Sequence, residues 1–234
     1  MTPLVLVPGM MCDARLFLPQ LVAFSRERPV SVVPLIGRDS IEALARDALS
    51  NAPARFALAG LSMGGIVAME IARLAPERID RLALMDTNHL PELPERQALR
   101  EDEIAEALAG GLTRVMREEM KPNYLAEGPR KAAILRTCMD MAMDLGPEVF
   151  AQQSRALRDR EDQSETLRGL ACPTLILCGR HDLLCPVARH EAMQALVPSC
   201  VMDVIEDAGH MPTLEQPGAT NAALARWLNA PSTA

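Results

Sequence analysis

A serine held between glycines, where an apolar run gives way to a helical one, is placed to act as a nucleophile. Gly60-Leu61-Ser62-Met63-Gly64-Gly65 has that form. The tight turn lifts the hydroxyl clear of a sheet, and small neighbours are required because the backbone there is strained and crowded. The helix that follows aims its free N–H groups at the turn, where negative charge would develop. A hydroxyl attacks a carbonyl efficiently at neutral pH only when a base takes its proton, and an imidazole with an ordinary pKa of about 6.5 is suited to that.

His210 supplies such a ring in Asp207-Ala208-Gly209-His210-Met211-Pro212, just past the last strand-like run. Asp182, in Cys178-Gly179-Arg180-His181-Asp182, follows the strand-like run before it. A carboxylate there could accept the imidazole N–H, fix its tautomer and steady the imidazolium. Each residue alone has a plain alternative: a capping serine, a solvated loop histidine, an aspartate capping the helix that opens at Pro186. Two rival acids stand nearby. Asp86 ends the fourth strand-like run, and Asp207 is assigned to shaping the histidine loop. A tetrahedral intermediate would also need two N–H donors for its oxyanion. The backbone amide of Met63 and that of Met10, in Val7-Pro8-Gly9-Met10-Met11, are expected to provide them.

Six apolar runs must position these residues: Leu4–Pro8, Val30–Leu35, Phe56–Leu61, Arg81–Asp86, Thr174–Gly179 and Val201–Ile205. Most lack alternation, which fits strands covered on both faces. Helical patterns lie between them at Ile41–Leu49, Met63–Leu74, Pro186–Leu196 and Gly218–Leu228. Strand and helix in alternation predict an α/β protein with a mostly parallel six-stranded sheet flanked by helices. Open parallel sheets place their sites past the C-terminal strand ends. The alternation breaks once. Residues 88–168 hold helical runs at Glu101–Ala109, Leu112–Met120, Arg130–Met143 and Glu148–Arg158, punctuated by Gly110-Gly111 and Gly146-Pro147. We expect a helical insertion between the fourth and fifth strands.

The chain has 234 residues, enough for one domain with a sizeable insertion. A net charge of −7 argues against a nucleic-acid binder, which needs a basic face. The six cysteines form no metal-ligand spacing and read as reduced buried thiols. No run approaches the roughly 20 apolar residues of a membrane span. The N-terminus has no basic region or cleavage pattern, so a cytoplasmic location is expected.

These motifs together resemble the α/β-hydrolase superfamily, and most of all its small bacterial esterases, enol-lactonases and cofactor-free haloperoxidases. The likeness rests on residues 60–65, on Pro173 to Asp182 and on Asp207 to His210, and covers 1–87 and about 169–234. The order Ser62, Asp182, His210 is the nucleophile–acid–base order of that fold. The resemblance implies a cap domain over the site, which matches the insertion at 88–168. It also shows departures. The chain starts on the strand leading to the oxyanion loop, so the superfamily's first strands are missing. Pro8-Gly9 stands where His-Gly is common. A serine in place of an aspartate nucleophile argues against haloalkane dehalogenases and epoxide hydrolases.

The expected activity is therefore a serine hydrolase acting on a small ester-type substrate, with no metal or organic cofactor. A C–C hydrolase, a perhydrolase or haloperoxidase on the same residues, and a non-catalytic ligand-binding module are the alternatives. Met11, Met139, Met143 and Met211 are expected to line the substrate pocket, because methionine gives adaptable apolar surface. Arg114, Arg117, Lys121, Arg130, Lys131 and Arg136 in the insertion could attract an acidic substrate or a carrier protein, although interspersed acids favour a solvated face.

Overall fold

A computed structural model describes residues 1–120 and 124–231, apart from the side chains of Glu119 and Met120. Its strands are β1 (Leu4–Val7), β2 (Val30–Val32), β3 (Phe56–Leu61), β4 (Ile79–Met85), β5 (Thr174–Gly179) and β6 (Cys200–Ile205). They form one sheet in the order β2-β1-β3-β4-β5-β6, with every neighbouring pair parallel. The missing alternation has the expected cause. Leu4 and Leu6 enter one apolar cluster with Phe24, Leu224 and Trp227, while Val5 and Val7 enter another with Leu44, Val67 and Met193. Each such side chain contributes roughly 1.5–3 kcal/mol by leaving water.

The helices are α1 (Leu18–Phe24), α2 (Ile41–Asn51), α3 (Met63–Leu74), α4 (Pro94–Glu106), α5 (Leu112–Arg114), α6 (Lys131–Arg158), α7 (Ser164–Arg168), α8 (Val187–Leu196), α9 (Pro212–Glu215) and α10 (Pro217–Asn229). Between β2 and β3 the chain crosses back past β1. This reversal opens a crevice beyond the C-terminal ends of β1 and β3, where such sheets bind ligands.

Some boundaries differ from the sequence pattern for identifiable reasons. β2 stops at Val32, because Pro34 cannot donate to a ladder. β4 begins at Ile79, before the apolar run, because Asp80 and Arg81 are buried as a 2.8 Å ion pair inside it. No helical pattern was evident at α1, since Leu18 and Val22 face solvent and blur the periodicity.

Between β4 and β5 the chain is helical. α4 opens at Pro94, earlier than expected, with proline in its first turn. The run expected as one helix from Leu112 is instead the short α5 between two wide π-type turns, Ala107–Gly111 and Val115–Met120, with Gly110 at φ 96°. α6 breaks at Gly146, φ 83°, before Pro147. Lys121 and the side chain of Met120 lie outside the described residues. Among the described residues no helix is long and apolar enough to cross a membrane, and the six cysteines form no disulfide.

Candidate active site

Ser62 stands between β3 and α3 with φ 56° and ψ −119°. A non-glycine residue in that region costs of order 1–3 kcal/mol and persists only where its surroundings enforce it. Here they do. A Cβ on Gly60 would overlap the Gly64 carbonyl, and one on Gly64 would overlap the Val7 carbonyl of β1. The Ser62 amide donates to Met85 O at 2.9 Å, and the Thr87 hydroxyl donates to Ser62 O at 2.7 Å.

His210 lies after β6, buried at 3% exposure, with Nδ1 2.8 Å from Asp182 Oδ2. The other Asp182 oxygen accepts from the amides of Leu184 (2.8 Å) and Cys185 (2.9 Å). Burial pushes the Asp182 carboxyl up, but the His210 ring and these amides outweigh it and hold it below the usual carboxylate range. The histidine loop is clamped from two sides. The Glu215 carboxylate accepts from the amides of Gly209 and Met211, at 3.0 and 2.9 Å, and from Ala126 at 2.8 Å. The His210 amide donates to Tyr124 O at 2.6 Å, and the Tyr124 ring lies 5.6 Å from the imidazole. A loop-shaping role for the Asp207 side chain does not hold. It is exposed, its carbonyl accepts from Gln216, no side-chain bond to it is seen among the described residues, and Glu215 makes the bracing contacts.

Asp86, the rival acid, follows β4 at φ 43° and is completely buried. Its Oδ1 accepts from Gly179 N at 2.8 Å, and Oδ2 has no hydrogen-bond partner among the described residues. Burial, reinforced by the Asp182 charge, holds this carboxyl well above its ordinary value. Buried His190 accepts from Thr87 N at 3.1 Å, and burial lowers its pKa to about 4.

The loop after β1 carries Met10, and Gly9 faces Ser62 closely: a Cβ there would lie 3.4 Å from Ser62 Cβ. Gln153 of α6 fixes this loop. Its Oε1 accepts from Met11 N at 2.8 Å and its Nε2 donates to Leu35 O at 2.7 Å, with the side chain almost fully buried. Nothing local marks Gln153 in the sequence, nor Tyr124, Thr87 or Glu215. Their partners are distant along the chain or belong to backbone.

Ser62, His210, Met10, Met63 and Met211 line one cleft of about 630 Å³. Met11, Met139 and Met143 lie elsewhere: Met11 is in the core beneath the loop, Met139 packs against that core, and Met143 is exposed and accepts from the Thr113 hydroxyl. Of the insertion's anticipated cations, Arg114, Lys131 and Arg130 have partners away from the cleft lining. Arg114 pairs with Glu106 and Glu118, Lys131 pairs with Glu127, and Arg130 donates to Glu215 O. The arginines that do line the cleft are Arg96, Arg100, Arg160 and Arg189. Asp182, Cys185 and His210 offer ligand atoms within 4.8 Å of one another. The Asp182 oxygens are already engaged, one with the imidazole and the other with two backbone amides.

The chain is 29% identical, over 97% of its length, to the dihydrolipoyllysine-residue acetyltransferase component of the acetoin cleaving system of Pseudomonas putida, but spans only 63% of that protein. It is 25% identical to the pimeloyl-[acyl-carrier protein] methyl ester esterase of Nitrosomonas europaea, over 76% of this chain and 73% of that one. The malate-bound structure of a thermophilic esterase from Thermogutta terrifontis matches with a TM-score of 0.89 at 30% identity, covering 97% of this chain and 89% of the other. Residues 4–223 match the sequence profile of the alpha/beta hydrolase family. With that match and its helix-flanked parallel sheet, the chain belongs to the alpha/beta hydrolase family.

Proposed function

We propose that this chain hydrolyses an ester-type bond (carboxylester, thioester or lactone) of a small molecule through an acyl-enzyme. Ser62 Oγ attacks the carbonyl carbon while His210 Nε2 takes the hydroxyl proton. Asp182 holds Nδ1–H and steadies the imidazolium. The amides of Met10 and Met63 receive the oxyanion; Met63 opens α3, where helix N–H groups lack intrahelical partners. The intermediate collapses as His210 returns its proton to the leaving oxygen or sulfur. Water, deprotonated by His210, then releases the acid and regenerates Ser62.

One observation carries this reading: a buried imidazole–carboxylate contact of 2.8 Å on the same cleft as a serine held at positive φ. The methyl ester named for the Nitrosomonas relative is the same bond class. Residues 1–87 and 169–234 form the catalytic core in this reading, and 88–168 the cap, since Leu90, Leu93 and Leu157 of that stretch wall the cleft.

Labelling with a fluorophosphonate probe and mapping the modified peptide tests it. The label belongs on Ser62, and Ser62→Ala must abolish both labelling and turnover of a p-nitrophenyl ester. A folded Ser62→Ala protein with wild-type turnover refutes the mechanism.

A further inference from the structure

Four arginines and two glutamates line the cleft of a protein whose overall charge is −7. Their pairing is uneven. Arg96 engages Glu103 through two nitrogens. Glu92 is shared: Oε2 accepts from Nε and Nη2 of Arg100, at 3.1 and 2.7 Å, and Oε1 accepts from Nη1 of Arg160 at 2.9 Å. Three guanidinium groups therefore face two carboxylates. The shortfall falls on Arg100. Its side chain is 6% exposed, its Nη1 is buried without a hydrogen-bond partner, and Glu103 Oε2 is 3.8 Å away, beyond hydrogen-bonding range. A buried donor left unmade is costly, so this nitrogen is a site for an acceptor. Burial also lowers the Arg160 guanidinium from its ordinary range, and the Arg100 charge adds to the effect. On the α8 side, half-buried Arg189 has no ion pair or side-chain hydrogen bond among the described residues.

We propose that the cleft takes a substrate bearing a free carboxylate remote from the scissile ester, which accepts from Arg100 Nη1 and lies in the field of Arg189. This rests on the ester-hydrolase reading and narrows it to half-esters of short dicarboxylic acids. Counting Arg189 and Glu95, which also line the cleft, four guanidinium groups stand against three carboxylates (Glu92, Glu95 and Glu103), and this surplus of one positive charge matches a monoanion. A phosphate dianion would leave a net negative charge there. A neutral diester would leave Nη1 without its acceptor, and a site with buried unpaired polar groups discriminates strongly against the analogue that fails to satisfy them.

The test compares kcat/KM for monomethyl and dimethyl esters of succinic, glutaric and adipic acids, followed by acid release. The expected result is a preference for one half-ester over its diester of about tenfold or more, the scale of a charged hydrogen bond. That ratio collapses in Arg189→Gln and Arg100→Gln and survives in Arg189→Lys. Because it compares two substrates on one protein, partial misfolding does not move it, and Arg189→Gln remains informative if Arg100→Gln does not fold. Diesters cleaved as well as half-esters at every length, or a ratio unchanged in both glutamine variants, overturns the proposal. Calorimetry of monomethyl glutarate on the Ser62→Ala protein separates the two readings. Binding without any turnover in the wild type keeps the carboxylate site and sinks the ester reading, whereas Ser62-dependent turnover of neutral esters alone does the reverse. Tighter binding of inorganic phosphate than of monomethyl glutarate overturns the choice of carboxylate.

Discussion

Replacing Asp182 with asparagine probes the site most sharply, because the structure dictates which way the new amide must face. Asp182 Oδ1 accepts from two backbone amides, at 2.8 and 2.9 Å. The asparagine oxygen must take that place, since its NH₂ there would meet two N–H donors. The NH₂ then occupies the position of Oδ2, 2.8 Å from His210 Nδ1. Nδ1 can only accept from it, so the ring proton moves to Nε2, the atom that takes the serine proton in the proposed mechanism. The imidazole can no longer take the hydroxyl proton. A comparable wrong-tautomer substitution in a serine protease lowers kcat about ten-thousand-fold, or about 5 kcal/mol of barrier. The assay is kcat/KM on a p-nitrophenyl ester, with folding checked by circular dichroism. Asp86 sharpens the interpretation. Removing the Asp182 charge removes one cause of its raised pKa but leaves the first, burial, in place, so Asp86 is not expected to ionise and replace the lost acid, and the double variant Asp86→Asn/Asp182→Asn should be no slower than Asp182→Asn alone. A folded Asp182→Asn protein that loses less than about tenfold would refute the tautomer reasoning. An Asp86→Asn effect as large as that of Asp182→Asn would move the acid to β4.

Ser62→Gly should abolish turnover yet stabilise the fold by about 1 kcal/mol, because glycine adopts φ 56° freely; thermal denaturation should show Tm raised by roughly 2–4 °C, and an unchanged Tm would mean the turn carries no strain. Gln153→Ala should cost about 2–4 kcal/mol in urea unfolding by orphaning Met11 N and Leu35 O, and should lower kcat more than it raises KM if the loop after β1 holds the oxyanion. Asp86 makes stability depend on pH with a definite sign. Its native pKa is raised, so the unfolded chain loses the proton first, and stability falls with rising pH above about 4 by up to about 1.4 kcal/mol per unit until the native group titrates. Urea midpoints from pH 5 to 8 should therefore slope less in Asp86→Asn; parallel slopes would show that Asp86 ionises normally.

What could be read from the sequence was local, and what could not was carried by contacts between distant segments. Gly60, Ser62 and Gly64 announce a strand–helix turn because backbone crowding constrains neighbours along the chain, and the fold places them at that turn. Asp182 and His210 were recognisable because each follows an apolar run, and a parallel sheet brings all its C-terminal strand ends to one edge. Composition misled where burial decided. Met11 and Met139 suggested a pocket, but the apolar core claimed them. Gln153 and Arg100 left no signal at all. Gln153 meets Met11 across 142 residues, and in helical sequence it reads as an ordinary polar residue. Arg100 reads as a solvated helical charge until Glu92 and Glu103 are seen enclosing it. Residues 88–168 fix the loop after β1 through Gln153, hold the histidine loop through Tyr124 and Ala126, and bring Arg100 to the cleft. In the proposed reading, substrate selection and the geometry of the chemistry therefore both draw on residues 88–168, and changing the first without disturbing the second requires sparing Gln153 and the 124–126 segment.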